Sequence, residues 1–386
     1  MNRRIDDIAT LIRGVSYKPE DLHPQLDDTS VALLKNNNIN DDGSISFDKV
    51  VYVDKSKVSS NQLLRPGDII VCASGSDTLV GKAAQFNTDG EYTFGAFCKV
   101  VRPHSVNKRF LGLFFMSPHY RSIIARSAQG AIMKNLRNEH LLDLTVDCPE
   151  DKLQEDIESK LDRVISIIRH RKDQLRILDS LIKARFVEMF GDPRTNPNGY
   201  EVEELRSSCT VVTGNTPPRS VEEYYGDGIE WIKTDNIVSG RTSPTQAVEC
   251  LSEKGMKVGR IVDEDAILMA CIAGSIASIG RVCITDRKVA FNQQINAVIP
   301  KHYDVRFLYV LLQLSKDYLV EEINMALKGI LSKSKLEDKA FFVPPMELQE
   351  QFATFVSQVD KSKVVVQKAL DEAQVLFDSL MQQYFG

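Results

Sequence analysis

The chain lacks most of the marks by which a sequence declares a catalyst or a membrane protein. No apolar run approaches the roughly 18 residues that a membrane span needs. The opening Met1-Asn2-Arg3-Arg4-Ile5-Asp6-Asp7 has no apolar core of a secretory leader. Cysteine is limited to seven, an odd count with no CxxC spacing, which argues against a zinc ribbon or a disulfide framework. Buried, reduced thiols in a cytoplasmic protein are the simpler expectation. No GxxxxGK[ST] loop occurs, so ATP-driven work is not encoded here. The six histidines show no metal-ligand spacing. Asn196-Pro197-Asn198-Gly199-Tyr200 resembles an amino-methyltransferase signature only superficially and reads as a linker turn. Glu150-Asp151-Lys152 has the acidic-x-Lys order of some nuclease centres, but acids are welcome in a first helical turn. An excess of positive charge is missing too: 48 Lys and Arg against 53 Asp and Glu give a net charge of −5. That balance argues against diffuse binding to a phosphate backbone while leaving room for local basic surfaces.

What is present is a repeat. With 386 residues the chain suggests two to three domains. Near its middle, Leu161, Ile168, Leu175 and Ile182 recur every seven residues, and Val164 and Leu178 fill the intervening step of the same seam. No Gly or Pro interrupts the run from Leu153 to Phe190 until Gly191 and Pro193. A helix of that length reaches roughly 55 Å at about 1.5 Å per residue, and its narrow seam calls for a partner helix. The chain supplies one: Phe352, Val359, Val366, Ala373 and Leu380 again fall every seven residues. The two runs also share wording. Leu153-Gln154-Glu155 returns as Leu348-Gln349-Glu350, Asp179-Ser180-Leu181 as Asp378-Ser379-Leu380, and Phe186 as Phe385. The shift grows from 195 to 199 residues between these matches, about one helical turn, so both copies can remain helical.

The segments between the helices repeat as well. Residues 1–147 look globular and mixed. Ile5, Ile8, Leu11 and Ile12 suggest a short amphipathic opening, and Arg65-Pro66-Gly67-Asp68 reads as a turn into the strand Ile69-Ile70-Val71-Cys72. Phe110 to Arg126 is more helical. After Gly191-Asp192-Pro193 a polar linker opens a second unit that ends at Pro344-Pro345. Gly75-Ser76 and Gly81 match Gly274-Ser275 and Gly280 at a shift of 199; Phe94, Pro103 and Phe110-Leu111 match Phe291, Pro300 and Phe307-Leu308 at 197. Gly130-Ala131-Ile132 falls against Gly329-Ile330. Landmarks kept in order at a nearly constant shift indicate duplication. The expected fold class is α+β: two duplicated mixed α/β domains joined by two long antiparallel coiled-coil helices. The expected boundaries are 1–149 for the first globular domain, 150–191 for the central helix, 192–345 for the second globular domain and 346–386 for the C-terminal helix.

The second unit carries Val212-Thr213-Gly214-Asn215-Thr216-Pro217-Pro218, then Tyr225-Gly226-Asp227-Gly228-Ile229-Glu230-Trp231-Ile232-Lys233-Thr234-Asp235-Asn236-Ile237. Phe291-Asn292-Gln293-Gln294-Ile295-Asn296-Ala297 and Val343-Pro344-Pro345-Met346-Glu347-Leu348-Gln349 follow. These blocks resemble the second target-recognition domain and spacer helix of a type I restriction–modification specificity subunit. The resemblance covers essentially the whole chain. The first unit is similar in plan but lacks the tryptophan-containing block and the Asn-Gln-Gln run, as expected of two domains that read different DNA sequences. The resemblance implies a non-catalytic, sequence-specific DNA-binding subunit, each globular domain reading one half of a bipartite, asymmetric target. It implies that the helices set the spacing between halves and dock two modification (methyltransferase) subunits. It further implies restriction (ATP-dependent translocase and nuclease) subunits, with S-adenosylmethionine, ATP and Mg2+ belonging to those partners and no cofactor in this chain. The partners are double-stranded DNA and those subunits, with no membrane, in a cytoplasmic setting. A two-module scaffold with no DNA role, on a coiled-coil stalk, is the alternative that the net acidity favours.

Candidate DNA-contacting residues in the second unit are Thr213, Asn215, Thr216 and Arg219, then Lys233, Asp235, Asn236 and Arg241, and the amides Asn292, Gln293, Gln294 and Asn296. Asn and Gln can pair with adenine edges, while Arg and Lys address guanine or phosphate. The same amides can instead satisfy backbone groups inside the fold, and Trp231 reads as core. In the first unit the candidates are Arg13, Tyr17, Lys18, Ser74, Ser76, Lys82, Lys134 and Arg137, each of which is also compatible with ordinary solvated surface.

Overall fold

In the computed structural model the chain divides into two compact units, Met1–Lys172 with Lys368–Gly386, and Asp173–Gln367. Residues 1–76, 78–127, 134–321, 323 and 329–386 are described. Gly130-Ala131-Ile132 and the Lys134 side chain lie outside them. Among the described residues no helix is long and apolar enough to cross a membrane. All seven cysteines are free, and six are buried.

The first unit begins with a strand, Asn2–Arg4, a single helical turn, Ile5–Ile8, and a second strand, Ala9–Arg13. The amphipathic opening expected from Ile5, Ile8, Leu11 and Ile12 is therefore helical only over its first turn. Leu11 and Ile12 are in the strand because Ala9–Arg13 pairs along its length with Cys98–Pro103. That pairing opens a four-stranded antiparallel sheet that continues through Ile69–Cys72 to Ala83–Gln85. Ile69–Cys72 is buried at every position. A strand so covered needs apolar groups on both faces, and its side chains alternate between two cores. Ile69 and Val71 join Phe110, Leu113 and Phe114 on one side, while Ile70 and Cys72 join Leu34, Phe86 and Phe94 on the other. The helix Lys108–Met116 covers the first of these faces, its first turn capped by the Asn107 side chain, which accepts from the Phe110 N–H at 2.8 Å. A second sheet contains Leu22–His23, Val51–Asp54, Ser30–Leu34 and Tyr92–Phe94, the last pair parallel.

The second unit repeats this order. Glu201–Glu204, the turn Leu205–Ser208 and the strand Cys209–Thr213 lead into a sheet with Ile295–Pro300, Ile267–Ala270 and Val282–Ile284. Ile267 and Met269 face one core and Leu268 and Ala270 the other. The covering helix is Val305–Leu314, capped by Asp304 through the N–H groups of Arg306 and Phe307. The second sheet again has one parallel pair, Tyr225–Ile232 with Val289–Phe291.

Two helices of 40 residues complete the chain, Asp151–Phe190 and Met346–Phe385. Each unit contains part of both. In the first unit Ile157 and Leu161 enter the core with Met381 and Phe385, and Val164 and Ile168 meet Ala373 further along. In the second, Ile182, Phe186 and Phe190 pack with Phe352, Val356 and Val359, and Lys363 reaches Asp179 at 2.6 Å. Within each unit the two segments therefore run antiparallel. Leu175, Leu178, Val366 and Leu380 of the seven-residue seam are half-buried, and its other members are buried. The repeated wording marks repeated joints. Gln154 donates to the Pro149 carbonyl at 2.7 Å and accepts from the Asn107 N–H at 3.3 Å. Gln349 donates to the Pro344 carbonyl at 2.8 Å and accepts from the Asp304 N–H at 2.9 Å. Phe385 lies 5.2 Å from Phe110, and Phe186 lies 5.4 Å from Phe307, ring centre to ring centre.

Candidate nucleic-acid interface

The two units place loops of the same geometry at the end of the same strand. Arg13 is paired in register with Lys99, and Thr213 with Asn296. The chain then passes close over a second loop. Val15 donates its N–H to the Phe94 carbonyl at 2.8 Å, and Asn215 to the Phe291 carbonyl at 3.2 Å. The residue before each must be glycine: a Cβ on Gly14 would stand 2.1 Å from the Gly95 carbonyl oxygen, and one on Gly214 2.1 Å from that of Asn292. Gly95-Ala96-Phe97 thus occupies the place of Asn292-Gln293-Gln294, and the hydrogen bonds agree, since Ala73 donates to the Phe97 carbonyl and Cys271 to the Gln294 carbonyl, each at 2.8 Å. Lys35 likewise corresponds to Lys233; their N–H groups donate to the side chains of Asn38 and Asn236 at 2.8 and 3.0 Å.

In the first unit this geometry makes two adjoining clefts. Arg13, Lys99, Arg137, Asn138 and Glu139 line one of about 490 Å³. Tyr17, Lys35, Ala96 and Phe97 line another of about 310 Å³, and Ser16 and Ala96 belong to both. Lys99 is anchored, its ammonium donating to the Leu136 carbonyl at 2.5 Å and to the Asn138 side chain at 2.9 Å. Burial and the nearby Arg13 guanidinium hold its pKa below the usual lysine value. Arg13, Lys35 and Arg137 have no carboxylate within 4.0 Å among the described residues. Phe97 is 62% exposed, so an aromatic face is open to stacking beside these cations. The remaining first-unit candidates are placed otherwise. Lys18 is paired to Glu20 at 3.6 Å and Lys82 to Asp41 at 2.7 Å. Ser74 is part of a short strand with Lys134-Asn135, and Ser76 bonds Thr78.

In the second unit the corresponding loops carry amides and hydroxyls at these positions. Several sequence candidates are committed to the fold's own hydrogen bonds. Asn296, 2% exposed, accepts from Thr213 at 2.8 Å and donates to the Cys271 sulfur. Asn215 braces the following loop through the Val258 carbonyl at 2.8 Å and the Arg260 N–H at 2.7 Å. Asn236 holds Thr245 and the Gln246 carbonyl, both at 3.1 Å. Asn292 and Gln294 bond each other through side chain and backbone. Gln293 and Thr216 are exposed and bonded to one another, while Asp235 and Arg241 are exposed. Trp231 is 3% exposed, held in a small apolar cluster with Ile229, Leu251 and Ala290, so it offers no open stacking face. Two cations lie over its ring instead, Arg219 at 5.1 Å and Lys233 at 5.0 Å, and both are bound to the Glu249 carboxylate. Those bonds, from Lys233 first, hold Glu249 below the ordinary glutamate pKa.

Lys35, Phe97, Lys99 and Glu249 were not singled out from the sequence. The signal for the first three was the repeat itself, since shifts of 198, 197 and 197 set them against Lys233, Gln294 and Asn296. Among the described residues no three His, Cys, Asp or Glu gather as a metal site. Duplicated α+β units that present unlike hydrogen-bonding, cationic and aromatic groups on equivalent loops define a two-module protein. Comparison with known proteins then places the chain: it belongs to the family described as the type I restriction modification DNA specificity domain, whose model matches residues 1–176 and again 197–373. The EcoKI specificity subunit of Escherichia coli K12 is 24% identical over 413 residues, covering 98% of this chain and 86% of its own. The StySPI specificity subunit of Salmonella potsdam is 30% identical over 181 residues, 46% of this chain and 39% of its own. The fold is similar to the crystal structure of the S subunit from M. genitalium, with a TM-score of 0.58 at 15% identity, covering 100% of this chain and 96% of that one.

Proposed function

We propose that this chain is the sequence-reading subunit of a type I restriction–modification complex, each globular unit reading one half of a bipartite, asymmetric DNA target. One observation carries the reading: a single frame, matched twice by the family, presents unlike chemistry at equivalent loop positions, Arg13, Lys99 and Phe97 against Thr213, Asn296 and Gln294. Phosphate contacts position such a protein and base contacts specify, so unlike loops on a common frame suit unlike half-sites. The long helices set the distance between the halves and dock two modification subunits. Catalysis resides in the partners: the modification subunits bind S-adenosylmethionine, and the restriction subunits use ATP and Mg2+.

The test is a domain exchange. Replacing residues 200–345 by the matching unit of a relative is expected to change one half of the methylated motif and leave the other, read by methylome sequencing of cells that also express the modification subunits. A swap that altered both halves would overturn independent reading. A methylation pattern indifferent to this chain would favour the scaffold without a DNA role. The chain purified alone is expected to transfer no methyl group and cleave no DNA, and methyl transfer by it would overturn the division of labour.

A further inference from the structure

Beside the lysine that the two frames share, the units differ at a carboxylate. Tyr225–Ile232 pairs antiparallel with Cys250–Leu251, with Glu230 opposite Cys250, and the Trp231 N–H donates to the Glu249 carbonyl at 3.0 Å. Glu249 is thus the cross-strand neighbour of Trp231. In the first unit the residue at the Trp231 position is Leu33, two before Lys35 as Trp231 is two before Lys233, and its cross-strand neighbour is Val51. One lysine therefore stands beside a carboxylate and its counterpart beside a valine. The Glu249 carboxylate accepts from Arg219 Nη2 at 2.7 Å and also from Lys233. It is 37% exposed, as against 33% for Lys233 and 56% for Arg219, so the cluster is partly dry yet reachable.

We propose that Glu249 is a specificity-determining gate of the second unit, neutralising Arg219 and Lys233 against non-cognate duplex and yielding them to phosphates only where the cognate bases are engaged. The inference rests on the DNA-reading function above. A phosphate that takes Arg219 or Lys233 must first displace a carboxylate that is ionised and doubly bonded, which discounts the attraction of any backbone. At a cognate step a base amino group donates to the freed Glu249 carboxylate and offsets the displacement, while a random sequence offers no donor in that place. The first unit, with Val51 in this place and Arg13, Lys35 and Arg137 unmatched, grips phosphate without such a discount. Division of this kind lets one unit hold DNA while the other discriminates.

The experiment uses the full chain with its modification subunits, a duplex of random sequence and a duplex carrying the motif found by methylome sequencing, over a salt series. Glu249→Gln is expected to bind the random duplex about tenfold tighter near 0.1 M salt. Its log–log salt slope should steepen by about 1 to 2, since each phosphate contact contributes about 0.9. Cognate affinity should change less, so the specificity ratio falls. Glu249→Asp keeps the charge and should stay near wild type. The mirror variant Val51→Glu should weaken random-duplex binding and flatten its slope, with Val51→Gln as the control for packing. An unchanged random-duplex affinity and slope for Glu249→Gln overturns the gate, as does equal weakening on both duplexes, which would make Glu249 an orienting group. A wild-type complex that binds both duplexes alike overturns the DNA-reading function itself, and the gate falls with it.

Discussion

Arg13 and Thr213 hold the same place in the two units, each ending an edge strand and each facing one residue of the neighbouring strand, Lys99 in the first and Asn296 in the second. Around the first the surface is cationic and aromatic. Around the second it is amide and hydroxyl, with Arg219 and Lys233 already matched to Glu249. Beneath both, the central strand alternates between two cores in the same way. The frame and the reading surface are thus separable, because the frame depends on buried alternation and a few tight approaches such as Gly14 and Gly214. Even the frame's interior is not copied residue for residue. Asp68, 1% exposed, receives Arg102 through two hydrogen bonds of 2.8 and 2.7 Å. The equivalent positions in the second unit are Ala266 and Ile299, as the bonds from Phe86 to the Asp68 carbonyl and from Thr285 to the Ala266 carbonyl show.

The strongest way to separate the units is through their helix ends. Phe385→Ala should destabilise the first unit and Phe186→Ala the second, each by about 3–5 kcal/mol, the usual range for emptying a buried phenylalanine site. Hydrogen exchange by mass spectrometry should show lost protection confined to one unit in each case. Loss in both units from either variant would mean that they unfold together.

The second test converts one interior into the other. Asp68→Ala strands the Arg102 guanidinium, 14% exposed, and should cost about 3–5 kcal/mol, whereas Asp68→Ala with Arg102→Ile should recover most of it. Denaturant midpoints of the single and double variants decide. A double variant as unstable as the single would show that the ion pair carries something the apolar solution cannot replace.

The smallest expected effect is on acid stability and concerns the second unit. Arg287 first, then the Ala247 N–H, holds Glu230 below its ordinary pKa of 4.5, against the opposing pull of burial. A depressed carboxylate binds its proton more weakly folded than unfolded. Its contribution is therefore full above about 4.5 and is lost as the pH falls through the lower folded value. Glu230→Gln should lower stability at pH 7 by about 1.5–3 kcal/mol, the range for a hydrogen bond to a charged group. Its midpoint should also fall less steeply than wild type between pH 6 and pH 3. Parallel curves would remove this pair from the account.

Much of this architecture was legible. Heptad spacing located both helices, and the repeated Leu-Gln-Glu and the phenylalanines 186 and 385 marked joints that the structure uses twice. What escaped was decided by tertiary partners. Leu11 and Ile12 fit a helical period as well as a strand, and only Cys98–Pro103 resolves the choice. The amides of Asn215, Asn292 and Asn296 have the chemistry of base readers, but polar groups beneath a loop must find partners, and the fold claims them. Glu249 was invisible for the opposite reason: an acidic residue attracts no notice as a DNA contact until its two cations are seen.

The first unit's core includes Met381 and Phe385, whereas the second is drawn from one continuous stretch, Asp173–Gln367. On the ribosome this removes the first unit's usual head start. Residues 1–172 emerge first but leave a gap beside Phe110 that only the last turns of the second helix can fill. At about 5–20 residues per second, the stretch from Lys172 to Phe385 takes about 10–40 s, during which the first unit waits without its closing turns. A nascent chain stalled in that window would present an open first unit, a substrate for chaperones at its oldest end.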